Sequence, residues 1–135
     1  MEEKVHIFTD GASRGNPGHA AIAFLILDAG GKLLKSCRKT IGVATNNEAE
    51  YTAVIKALEA ASGMAGEVIL TSDSEVMVRQ LNGSYKVKAA NLKGLFMQVR
   101  SQERKFRKVT YVHARRSDPC ISKADSMVNE ALDRE

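Results

Sequence analysis

Two periods of apolar and polar positions alternate along this chain, and their boundaries give a map of elements. Lys4 to Thr9, Ala20 to Leu27 and Lys32 to Thr40 read as strands, with Asp28–Gly31 ("DAGG") as the hairpin turn between the second and third. From Asn47 to about Ser62 the period lengthens. Tyr51, Val54, Ile55, Leu58 and Ala61 fall on one helical stripe, Thr45 or Asn47 can cap it, and Gly63 ends it. Glu67 to Ser72 then reads as a strand and Ser74 to Leu81 as a short helix. Ala90 to Arg104 forms a helix with Leu92, Leu95, Phe96 and Val99 inward, and Lys108 to His113 a strand. Ser122 to Leu132 closes the series as a helix with Ala124, Met127, Val128, Ala131 and Leu132 inward.

This order, three strands followed by alternating helices and strands, predicts an α/β fold. The first three strands can pair antiparallel, and strands separated by helices join in parallel through crossovers. The result is a five-stranded mixed sheet flanked by helices. No repeat or linker interrupts it, so residues 1–135 are expected to form one domain.

Composition narrows the class. The longest apolar run, Ala20 to Leu27, is too short to span a bilayer. The N-terminus is acidic and then strand-like, without a signal pattern, and Cys37 and Cys120 are isolated. A cytoplasmic protein with no membrane partner is the expectation, and a monomer the default. Charge is unevenly spread: residues 79–116 carry 11 Lys or Arg against one acid, Glu103. A nucleic acid is then a reasonable partner, with Arg100, Arg104, Lys105 and Arg107 expected in the footprint.

Acids mark the element ends. Asp10 ends the first predicted strand and Asp73 the fourth; Glu48 and Glu50 lie in the first turn of the first helix, Asp125 in that of the last. Each has a structural explanation as a turn former or a helix-end acid. Together they point elsewhere. If the first and fourth strands are parallel neighbours, Asp10 and Asp73 share the C-terminal edge of the sheet, where α/β sites form. Like charges side by side call for a cation, and carboxylates without His or Cys suit Mg²⁺ or Mn²⁺. The helix pattern does not choose between Glu48 and Glu50.

These residues resemble the type 1 ribonuclease H family, in order and over nearly the whole chain. "TDGASRGNPG" (Thr9 to Gly18) is similar to the family's first-strand motif, and "TNNEAE" (Thr45 to Glu50) to its T-N-N-x-x-E motif. "TSDSE" (Thr71 to Glu75) is similar to its T-D-S motif, and "SKADSMVNEAL" (Ser122 to Leu132) to its last helix. The resemblance selects Glu50 over Glu48. It implies the ribonuclease H-like fold and cleavage of the RNA strand of an RNA·DNA hybrid, giving 5′-phosphate and 3′-hydroxyl ends. Asp10, Glu50, Asp73 and Asp125 would bind two Mg²⁺, with Mn²⁺ as an alternative. Ser13, Asn16, Asn46 and Asn47 match substrate contacts in the minor groove, where Asn can reach base acceptors and the 2′-hydroxyl. The spacing of Asp73 and Asp125, 52 residues, resembles the short subgroup without a basic handle.

The chain departs from the family pattern in two places. Glu75 stands where many relatives have Gln. The loop before the last helix has Arg115 where a catalytic His is common, so His113 takes that role only if the loop holds two extra residues. Two other readings share the fold: a binding module without catalysis, and a two-ion enzyme acting on DNA.

Overall fold

The computed structural model describes residues 2–134. It contains β1 (Glu2–Gly15), β2 (Gly18–Asp28), β3 (Leu33–Ala44), α1 (Asn46–Ala61), β4 (Ala65–Ser72), α2 (Glu75–Leu81), α3 (Ala90–Glu103), β5 (Lys108–His113) and α4 (Pro119–Asp133). The sheet order is β3-β2-β1-β4-β5. β1–β2 and β2–β3 are antiparallel, while β1–β4 and β4–β5 are parallel. The five-stranded mixed sheet is therefore as the pattern predicts.

The two faces are packed differently, because alternate residues of each strand meet different helices. Val5 and Ile7 of β1, Phe24 and Ile26 of β2, and Val68 and Leu70 of β4 join the apolar sides of α1 and α3 in the main core. On the opposite face Ala21 and Ala23 meet Ala124, Val128 and Leu132 of α4. Small alanines let α4 lie close to the sheet. With both faces covered, β2 is buried from Ala20 to Ile26 and shows no polar alternation.

Two boundaries differ from expectation, and both bear on the acids. β1 does not stop at Asp10; it runs five residues further and pairs with β2 until Gly15 meets Gly18. The glycine-rich stretch is thus a hairpin tip, with a cis Asn16–Pro17 peptide, rather than a loop. α4 begins at Pro119 instead of Ser122. Asp118 is its N-cap and accepts from the N–H groups of Cys120 and Ile121 at 2.9 and 3.2 Å, while Pro119 needs no donor there. Asp125 consequently lies in the second turn, free of any capping task.

The basic segment also divides. Arg100 is held internally: it donates to Glu103 and to the Leu81 carbonyl, both at 2.7 Å, and stacks on Phe96. The Arg107 N–H bonds the Gly66 carbonyl, and its side chain lies near Glu67. Glu67 pairs with Lys108 at the start of the parallel strands, so Arg104 to Lys108 lie at the edge opposite Asp73. These residues thus lie apart from the acidic edge, since helical crossovers separate residues that the sequence places in one run. Lys86, Lys88 and Lys93 remain exposed around the start of α3. The Asn91 side chain lies beside Glu48, which puts this end of α3 next to the first turn of α1.

Candidate active site

Parallel pairing of β1 with β4 ends at Phe8 opposite Thr71, whereas antiparallel pairing with β2 continues past Asp10. Asp10 therefore sits inside its strand, at a step where one neighbour has stopped. Asp73 follows immediately after β4 on that vacated side. Ser74, rather than Asp73, caps α2, accepting from the Met77 N–H at 3.4 Å. Asp10 shares a strand face with Ala12, which packs on the α4 layer, so α4 brings Asp125 to the same edge.

Glu50 arrives from the other face. Thr45 caps α1 in a reciprocal box with Glu48: the Glu48 N–H donates to Thr45 Oγ1 at 3.1 Å, and the Thr45 N–H to Glu48 Oε1 at 2.8 Å. Glu48 is thereby spent on the helix end. Glu50, half a turn further on, points inward, and its Oε1 accepts from the Gly11 N–H at 2.7 Å. A β-carbon on Gly11 would lie 2.4 Å from the Ala49 carbonyl oxygen, so only glycine lets α1 approach β1 this closely.

Single carboxylate oxygens of Asp10, Glu50 and Asp73 all lie within 4.8 Å of one another. Asp125 completes the wall of the same cleft, of about 380 Å³, together with Asn46, Asn47, Ser74 and Arg116. Asp10 is 3% exposed and Glu50 8%. Burial, and then the charges of Asp73 and Asp125, push the Asp10 carboxyl up to about 7. Burial, then Asp10 and Asp73, hold Glu50 well above the carboxylate range. Asp10 Oδ2 is buried without a hydrogen-bond partner. An orphaned buried acceptor among crowded acids, with neither His nor Cys among the described residues of the cleft wall, fits a hard divalent cation bound through oxygen.

A pH dependence follows. Asp10 keeps its proton in the folded protein to about 7, against an ordinary value of 3.8. Between those values the folded state binds more protons than the unfolded state. The resulting stability is fully present below the lower value and is lost as pH rises through the upper one. Without metal, the fold should lose on the order of 2–4 kcal/mol from this site between pH 4 and 8. Thermal melts in EDTA across that range, for wild type and Asp10→Asn, measure it: the variant's curve should be flatter, and parallel curves would contradict the assignment.

The expected substrate contacts are stitched together. The Ser13 N–H donates to Asn46 Oδ1 at 2.9 Å, and the Ser13 hydroxyl bonds both Asn46 Oδ1 and the Gly15 carbonyl. Asn16 Oδ1 accepts from the Asn46 N–H at 3.0 Å, so Asn16 ties the hairpin tip to the start of α1. These bonds use the amide oxygens and leave both NH₂ groups out. Asn47 lines the cleft. His113 ends β5 opposite Ser72 and is exposed, outside the residues that line the cleft. The cationic side chain the structure does bring there is Arg116, whose Nε lies 3.4 Å from Asp73 Oδ2. Sequence reasoning missed it; its signal was the Arg115–Arg116 doublet in a loop leading to an acidic edge.

This sheet order, with carboxylates gathered where β1 outlasts β4, defines the ribonuclease H-like class of α/β folds. The family model described as "Reverse transcriptase-like" matches residues 8–131. Ribonuclease HI of Halobacterium salinarum is 37% identical over 131 residues, covering 96% of this chain and 65% of that protein. The crystal structure of RNase H1 from that archaeon superposes with a TM-score of 0.92, covering 98% of this chain and 99% of that one. LC11-RNase H1, solved in complex with an RNA/DNA hybrid, is 39% identical with a TM-score of 0.90, covering 96% and 97%. The chain spans from about a third to two thirds of the length of the curated relatives it matches. The chain belongs to the type 1 ribonuclease H family.

Proposed function

We propose that this chain is a metal-dependent endoribonuclease that cuts the RNA strand of RNA·DNA hybrids, leaving 5′-phosphate and 3′-hydroxyl ends. The observation that carries the reading is the carboxylate trio within 4.8 Å, with a buried Asp10 oxygen left unpartnered. The hybrid bound by the similar LC11 enzyme supports the choice of substrate. Asp10, Glu50, Asp73 and Asp125 would hold two Mg²⁺, or Mn²⁺ in their place. Bound there, such ions supply an activated water and stabilise the leaving 3′ oxygen.

The chain's own residues do the rest. The Gly11 N–H fixes Glu50, and the Thr45–Glu48 box fixes the helix that carries it. Ser13, Asn16, Asn46 and Asn47 form a polar rim whose amide NH₂ groups suit base acceptors and the ribose 2′-hydroxyl. His113 belongs to this proposal as a residue at the strand end next to the cleft. We take residues 1–135 to be one catalytic domain, monomeric and cytoplasmic.

A second surface fits a nucleic-acid strand. Tyr85, Phe96 and Met97 line a groove with Lys86 and Lys93, and Arg79 stacks on Tyr85 at 5.4 Å. Aromatic faces among cations suit a nucleic-acid strand. Lys86→Glu with Lys93→Glu should weaken hybrid binding and reduce the salt slope by roughly 0.9 for each phosphate no longer neutralised. Arg107→Ala, at the far edge, should leave the slope alone. Filter binding across a salt series measures both, and equal slopes for all three proteins would remove the groove from the footprint.

The substrate reading is tested with labelled RNA·DNA hybrid, duplex RNA and duplex DNA in Mg²⁺ or Mn²⁺. Cutting confined to the RNA of the hybrid is the expected result. Binding without cutting would make the chain a recognition module, and cutting of duplex DNA alone would make it a DNA nuclease.

A further inference from the structure

The acidic cleft already contains a positive charge of the protein's own. Among the described residues that line it, Arg116 alone is cationic. Its Nε lies 3.4 Å from Asp73 Oδ2. The loop that carries it is fastened at both ends. The Ala114 N–H donates to the carbonyl of Ser72, the residue before Asp73, at 3.0 Å. The Asp118 N–H closes a turn onto the Arg115 carbonyl at 2.9 Å, and Asp118 then caps α4. The backbone is therefore fixed beside the cluster. The side chain is not: it is 70% exposed and makes a single hydrogen bond to the acids.

We propose that Arg116 is a tethered counter-ion, which neutralises the carboxylate cluster in the metal-free protein and must be displaced for a divalent cation to bind. The inference rests on the reading of this cluster as a metal site. One guanidinium at the rim offsets part of the repulsion between the acids, but it reaches only one of them directly. A divalent cation can be shared by oxygens of Asp10, Glu50 and Asp73 and carries twice the charge, so it prevails. The exposed arginine leaves at little cost, because a solvated ion pair contributes little by itself. Arg116 thus has two effects of opposite consequence. It supports the fold while metal is scarce, and it raises the metal concentration needed to fill the site.

Calorimetric titration of Mg²⁺ and of Mn²⁺ into stripped wild type, Arg116→Ala and Arg116→Lys, without nucleic acid, tests this, with thermal melts in EDTA alongside. Arg116→Ala should bind the cation about fivefold more tightly, the factor that corresponds to losing one favourable exposed pair. It should also melt lower than wild type in EDTA. Arg116→Lys, which keeps the charge, should stay within about twofold of wild type. Equal or weaker cation binding by Arg116→Ala overturns the proposal, as does a lysine variant that behaves like the alanine one. A wild type that binds neither cation removes the metal-site reading and the proposal with it. A wild type that binds, with unchanged variants, removes the proposal alone.

Discussion

Asp10→Asn is expected to lose hybrid cleavage by roughly 10³-fold or more, since a preorganised charge at a reacting centre is worth at least that order. The variant should still bind hybrid, because the Asn rim and the groove by α3 do not depend on Asp10. It should also be more stable than wild type in EDTA above pH 7, by about 2 kcal/mol. Asp10 is buried between acids, and the metal-free fold tolerates its charge poorly. An amide of the same shape removes that repulsion. Activity lost together with stability gained separates a metal-site acid from a packing residue, whose replacement lowers both. Cleavage rates at saturating metal, with denaturant melts in EDTA, measure the pair. Retained cleavage would exclude Asp10 from the chemistry.

Gly11→Ala should destabilise the protein by about 3 kcal/mol, the upper part of what overpacking costs. The reason is space alone: the new β-carbon would meet the Ala49 carbonyl oxygen at 2.4 Å and its carbon at 2.5 Å, both backbone atoms. Relief requires the start of α1 to move off β1, which breaks the Gly11–Glu50 hydrogen bond. Metal binding should weaken with stability. Gly42→Ala is the control. Gly42 has φ +81° with open space around its α-carbon, so alanine there should cost about 1 kcal/mol of backbone strain and leave the metal site intact. Urea unfolding and metal titration of both variants measure this. Equal losses would mean that the close approach at Gly11 is not what positions Glu50.

The strands and helices were legible because burial on a sheet face or a helix stripe leaves a period in the sequence. Tyr51, Val54, Ile55 and Leu58 announced α1 in this way, and all four are buried. Ends were less legible. The Gly and Asn of the β1–β2 hairpin resemble a loop in composition, and a run of backbone pairing leaves no apolar mark on them. Asp118–Pro119 is a helix start, but the apolar stripe after it begins later, which concealed the first turn of α4. The acids were legible as residue types at element ends, and the family motif selected Glu50.

The sequence by itself determined which elements form, their order and which carboxylates are available, because these depend on local propensity and on the spacing of apolar side chains. Only the tertiary structure decided where charges meet. It sent Arg104 to Lys108 to the edge away from the acids and occupied Arg100 inside. It brought Arg116, a loop residue without a motif, to 3.4 Å from Asp73. It also made Asp10 unusual, by ending β4 beside it while β1 continued. Electrostatics at a site depends on distance and burial between residues far apart in the chain, and no local pattern encodes either.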